Sequence, residues 1–188
     1  MELSKEKSRG IVLSAAALTG LLLVFTSVAL AQQRYPIESR SEWQAEGKYT
    51  QQQIIDAGDI PGHQIRILEL HRTYNEKSRF AVSGVKVKEN WTWGYSDYIK
   101  GVGRAWGYTV WILEDGNKVF SEYSGSSNTQ PTGSGAVEGT YHGTARLTGG
   151  TGKYKGIRGT LTDAVEFNTD RASGYNRGNS KGEYWFEE

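Results

Sequence analysis

Beyond residue 31 the chain alternates. Apolar and polar residues change sides at every second position, and no stretch holds a helical period, so the pattern predicts strands throughout. Strands are expected at 49–56, 64–72, 80–90, 104–114, 118–123, 137–148, 157–167 and 181–186, with 34–47 as an irregular arm and the Ser/Gly/Thr-rich run 124–135 as a loop. The clearest hairpin closes around Asp115-Gly116-Asn117, because Asp-Gly supplies the positive backbone angles of a tight turn. A second turn, Asp59-Ile60-Pro61-Gly62, leads into the strand at 64–72.

Alternation also sorts side chains by face. Val137, Gly139, Tyr141, Gly143, Ala145 and Leu147 share one side of their strand, and Glu138, Thr140, His142, Thr144 and Arg146 share the other. In the next strand Ile157, Gly159, Leu161, Val165 and Phe167 line up, with Asp163 as the one charged member. Asp163 reads either as a water-exposed carboxylate at a bulge or strand end or as a polar group inside a ligand cavity. About eight short strands can close a small antiparallel barrel whose interior holds side chains or one ligand. A two-sheet sandwich fits the same spacing.

Composition agrees with this class and removes several functions. There are 24 Gly, 6 Trp and 11 Tyr, but 3 Pro, 1 Met and no Cys. Cys-based zinc sites, disulfide scaffolds and Cys nucleophiles are therefore excluded. Net charge is +1 with the signs interspersed, which gives nucleic-acid binding no basic stripe. His63, His71 and His142 lie far apart and match no ligand spacing, so neither a metal nor any other cofactor is expected. Residues 1–31 read as a secretory signal: Lys5, Lys7 and Arg9, an uncharged apolar run at 11–30, and Ala29-Leu30-Ala31 as the cleavage site. A retained anchor is the rival, since the run is about long enough to span a bilayer. Either way the rest of the chain leaves the cytosol; with the signal cleaved, the domain is secreted or periplasmic and keeps no stable span. Residues 49–188 form the expected barrel domain and 32–48 its arm.

The segment from Leu147 to Thr160 carries the strongest signal. Gly149, Gly150 and Gly152 permit turn angles closed to other residues, Tyr154 can fold back as a plug, and Gly156 and Gly159 lead into the next strand. A phosphate loop fails because Tyr154 stands where Ser or Thr is required, and the dinucleotide fingerprint fails because Lys155 stands where the third glycine is due. The segment resembles the glycine pattern of the allene oxide cyclase-like and dirigent barrels over the last third of the chain. That resemblance implies a closed eight-stranded barrel, a homo-oligomer (trimer or dimer), and a cavity that binds or cyclises hydrophobic substrates without a cofactor.

Candidate chemistry is sparse. Trp91, Trp93, Tyr95, Tyr98, Trp106, Tyr108 and Trp111 form an aromatic cluster. Such rings bury large areas and keep a polar edge, so they suit a barrel core and subunit contacts, a cavity for an apolar ligand, or an exposed platform for sugars. Trp91, Trp93, Trp106 and Tyr108 are the expected shapers of the cavity or its mouth. Glu69 and His71, two apart on one strand, could set up acid–base work. Glu69, His71 and Asp163 are the candidate catalytic groups. His63 follows the Pro-Gly turn, where a histidine is usually solvated, and His142 belongs to the polar face. Asn90-Trp91-Thr92 is a glycosylation sequon. Two functions follow: an exported barrel that binds a small hydrophobic molecule in its lumen, or a cyclase, isomerase or dirigent-type enzyme that acts by steering such a molecule.

Overall fold

A computed structural model describes residues 32–41, 46–76, 79–133, 136–168 and 175–187, so the expected signal segment lies outside the described residues. Ten strands follow in order: β1 (Tyr35–Ser41), β2 (Glu46–Asp56), β3 (His63–Thr73), β4 (Ala81–Val82), β5 (Val85–Ile99), β6 (Val102–Leu113), β7 (Lys118–Pro131), β8 (Val137–Gly150), β9 (Ile157–Asn168) and β10 (Tyr175–Phe186). One 3-10 turn, Gly152–Tyr154, separates β8 from β9. The strands form one antiparallel sheet in the order β1-β10-β9-β8-β7-β6-β5-β3-β2, with β4 paired to β5. Expectation and structure agree on an all-β antiparallel fold. Hydrogen bonds do not close the sheet, because β1 and β2, at the two ends of that order, are not paired with each other.

Strand count and length both exceed the expectation. The arm at 34–47 contains β1, which pairs with β10 from Tyr35↔Tyr184 to Ser41↔Gly178. The expected loop at 124–135 is mostly strand, since Ser124–Asn128 pairs with β6 on one side and Ser124–Pro131 with β8 on the other. Two ladders of backbone hydrogen bonds there outweigh the weak strand preference of Ser, Gly and Asn. The expected strand at 80–90 is two, folded at Ser83 and Gly84, and β5 then runs on to Ile99. At its end Lys100 and Gly101, both at positive φ (51° and 84°), make the two-residue turn into β6.

Burial divides the sheet into an inner and an outer face. Ile37, Val87, Trp111, Leu113, Val119, Leu147, Ile157, Leu161 and Tyr184 meet in one buried cluster. They come from seven strands spread along the sheet, and their convergence requires the sheet to curl about them. All lie toward the end marked by the β6–β7 turn. There the 3-10 turn inserts Tyr154, which is fully buried and donates its hydroxyl to the Val82 carbonyl at 3.2 Å. Phe80 packs edge-on against both Tyr74 and Trp111. Each such side chain contributes about 1.5–3 kcal/mol by leaving water, so this end anchors the fold.

Candidate functional site

Polar groups flank the apolar cluster on the inner face. Directly paired residues share a face, so Arg72 lies beside Asn90, itself opposite Trp111, while farther from the anchored end Arg66 lies beside Ser96 and Asp163 between Gly143 and Ser180. Tyr123 and Tyr141 meet edge-on with ring centroids 6.4 Å apart. Glycines make room for both rings: a Cβ on Gly94 would strike the Tyr123 hydroxyl, and one on Gly143 the Tyr141 hydroxyl. Burial raises the Tyr123 phenol to about 12 and pushes Tyr141 higher still. Burial likewise raises the Asp163 carboxyl above its usual range, opposed by its hydrogen bond with Ser180 and by the Arg72 charge. Asp163 and Arg72 sit on β9 and β3, far apart in strand order, so their mutual influence again reflects the curl.

Several of these groups are buried without a protein partner. Arg72 Nε, Asn90 Oδ1 and the Tyr141 hydroxyl have none. Asn90 is 4% exposed, and its Nδ2 donates to the Tyr74 hydroxyl at 2.8 Å. That burial leaves no room for a glycan on the sequon. A buried polar group left unpaired costs about 1–3 kcal/mol, so these three lower the stability of the inner face.

The four aromatic residues expected to shape a cavity stand on the outer face. Trp93, Trp106 and Tyr108 are 41%, 38% and 61% exposed, and Trp91 shares their face and is half-buried. The buried side of β6 carries Thr109, Trp111 and Leu113 instead. Tyr95 stacks on Trp106 at 5.8 Å and Trp91 on Trp93 at 6.4 Å, with near-parallel planes. Rings that occupy each other's faces do not offer a flat sugar-stacking platform. They join Ile55, Ile65, Ile67, Ile99 and Val102 in an exposed apolar band across β2, β3, β5 and β6.

Glu69 and His71 are part of this outer face and are not brought together. Glu69 accepts from Thr50 Oγ1 and from Trp93 Nε1 (2.7 Å), and these bonds, Thr50 first, lower its pKa. His71 stacks on Trp91 at 4.2 Å and pairs with Glu89 at 2.7 Å. His142 is exposed. Beside the aromatic band, Arg104, Trp106, Tyr108, Glu122, Thr144 and Arg146 line an open groove of about 500 Å³. Arg146 Nε donates to Glu122 at 2.7 Å, and the Arg104 guanidinium lies over the Trp106 ring.

His63 forms a site of its own at the polar end. Its Nδ1 is 2.6 Å from Asp59 and its Nε2 2.8 Å from Asp97. Both ring nitrogens can donate only when the imidazole is doubly protonated. The bond to Asp59, then that to Asp97, raises the pKa above 6.5. The linkage has a definite sign: a raised folded-state pKa gives stability that is complete below about 6.5 and lost as pH climbs through the raised value. Protection factors, the exchange rates corrected for the intrinsic pH dependence, should therefore fall at residues 57–62 as pH rises through the His63 titration followed by NMR, and His63→Gln should remove that step. Protection indifferent to the titration would refute the link.

Among the described residues no group of three or more His, Asp or Glu gathers to hold a metal, and no helix is long and apolar enough to cross a membrane. No family model matches the chain. No curated protein matches it either.

Proposed function

We propose that this chain is an exported barrel protein that binds a small, largely hydrophobic molecule on its inner face. The carrying observation is the glycine-lined, polar part of the inner face, where Tyr123 and Tyr141 meet near Asp163 and the Tyr141 hydroxyl has no protein partner. The outer groove is the weaker candidate because its ion pair is already made. The basic start, apolar run and Ala29-Leu30-Ala31 of the N-terminal segment support export. The curled sheet and the glycine turn around Tyr154 support kinship with the allene oxide cyclase-like barrels, in which the open edges of β1 and β2 would meet.

A second reading, a cyclase or isomerase, is favoured by Asp163. Burial keeps its carboxyl protonated to a higher pH than usual, beside the inner face where a substrate would lie. Such a group could donate a hydrogen bond or proton to a developing anion.

The outer band supports self-association, as a trimer or dimer. A contiguous apolar patch of this kind marks an interface, and its side chains together expose on the order of the ~800 Å² per partner of a standard contact.

Titration with the neutral fluorophore 1-aminoanthracene tests the inner-face reading. Ser127 is buried on the inner face near the polar end, so Ser127→Leu should reduce uptake at least tenfold, while Trp106→Ala leaves it unchanged. Loss of uptake in Trp106→Ala with Ser127→Leu unaffected would move the site to the outer groove.

A further inference from the structure

The outer groove is a poor seat for a hydrophobic molecule, and its two walls differ in kind. Trp106 and Tyr108 on β6 make one wall aromatic, while Thr144 and Arg146 on β8 make the other polar. Ser124 pairs with Trp106 on one side and Thr144 on the other, so a small hydroxyl side chain forms the floor. The walls stand two strand spacings apart, ~10 Å, and the row from Arg104 to Tyr108 runs ~14 Å along its strand. Tyr108 is 61% exposed, and unlike Trp106 it has no ring stacked on it among the described residues. Tyr108 pairs with Glu122, and Glu122 with Arg146, so the three stand in one row. The ion pair in that row uses a single carboxylate oxygen: Arg146 Nε and Nη2 both approach Glu122 Oε1, at 2.7 and 2.5 Å. Glu122 Oε2 and Arg146 Nη1 are left as an acceptor and a donor side by side, on side chains that both face water. At the far end of the same wall Arg104 makes no ion pair among the described residues, and Asp97, opposite it in register, is engaged by His63.

We propose that this groove is a second site, and that it binds an acidic saccharide built from uronate units. One sugar ring lies with its C–H face on Tyr108, two adjacent hydroxyls meet Glu122 Oε2 and Arg146 Nη1, and the carboxylate of a neighbouring unit meets Arg104. This goes beyond the inner-face reading and does not depend on it. A pyranose ring is apolar on its faces and polar around its edge, which matches one aromatic wall beside one hydrogen-bonding wall. Each sugar hydroxyl both donates and accepts, so a pair of them completes the donor and the acceptor that the ion pair leaves open. Two guanidiniums against one carboxylate make the groove net positive, which favours acidic over neutral sugars. A charge-assisted bond is about twice as strong as a neutral one, so Arg104 should supply that selectivity and Tyr108 the affinity common to all sugars.

Four probes separate these contributions: trigalacturonate and trimannuronate as acidic sugars, cellotriose as a neutral one, and triglutamate as an acid without sugar. In isothermal titration of the full mature chain, at least one uronate trimer should bind at least tenfold tighter than cellotriose and triglutamate. Arg104→Gln should erase the preference over cellotriose, and Tyr108→Ala should weaken every sugar about tenfold or more. Both side chains are exposed, so neither change threatens the fold. Cellotriose or triglutamate binding as tightly as the uronates overturns the proposal, and so does failure of both uronates to bind. Uronate binding that Tyr108→Ala leaves unchanged overturns the assignment to this groove. Uptake of 1-aminoanthracene reads the inner face alone, so that reading stands or falls separately.

Discussion

Tyr154→Ala should cost about 3–5 kcal/mol of folding stability, the usual penalty for emptying a large aromatic site in a core. Tyr154 is fully buried although it belongs to a three-residue 3-10 turn between strands. Its ring fills the anchored end of the curled sheet, close against Gly150, where a Cβ would come within 2.7 Å of the Tyr154 Cβ. At roughly 2–4 °C per kcal/mol for a domain of this size, the midpoint should fall by about 6–20 °C. Tyr154→Phe keeps the ring and loses only the hydroxyl bond to the Val82 carbonyl, so it should cost about 0.5–1.5 kcal/mol. Urea unfolding of the three proteins measures both steps. An alanine variant within about 1 kcal/mol of the parent would mean that the ring is not a plug and that this end is held by the strands alone.

The sequence makes most of this end legible. Gly149-Gly150 and Gly152 mark a turn that only unusual backbone angles can make, and Gly152 does adopt φ +54°. The Asp115-Gly116-Asn117 turn is equally plain, with Gly116 at φ +80°. Lys100-Gly101 is harder to recognise because lysine carries no preference for positive φ, so the aromatic run at 91–99 reads as detached from any hairpin. Alternation groups Trp106 with Tyr108 and sets Trp111 opposite, as the structure does, but it assigns neither face to the interior. Hydrophobicity misleads there, because the outer face of β5 and β6 carries larger rings than the inner one. The inner face is instead marked by the small residues Gly94, Ser96, Gly107 and Thr109, of which Gly94 leaves room for the Tyr123 ring to lie across it. The orphaned polar atoms are invisible for another reason. Arg72, Asn90 and Tyr141 are scattered through the chain, and only register and curl bring them to one face.

If the outer band is a contact between copies, Ile67→Asp should weaken self-association by at least ~100-fold and leave the fold intact. Ile67 is 48% exposed and lies beside Tyr95 in register, in the middle of the band. A charge at so exposed a position changes the stability of a lone chain by about 0.5 kcal/mol or less. In a contact, the same carboxylate would be desolvated without a partner at a cost of several kcal/mol, and each 1.4 kcal/mol is tenfold in Kd. Most nearby charges are already occupied, Glu69 by Thr50 and Trp93, His71 with Glu89 and Asp97 by His63, while Arg104 lies over the Trp106 ring. Covering this face therefore strips water mainly from rings and aliphatic groups, which makes association favourable in the parent and acutely sensitive to one added charge. Ile60→Asp, equally apolar and exposed but at the tip of the β2–β3 turn, should leave the assembly unchanged. Sedimentation velocity across a range of concentrations reads the masses directly. A parent that stays monomeric at about 100 μM, or an Ile67→Asp variant with the parent's mass distribution, would leave the aromatic band without its proposed partner.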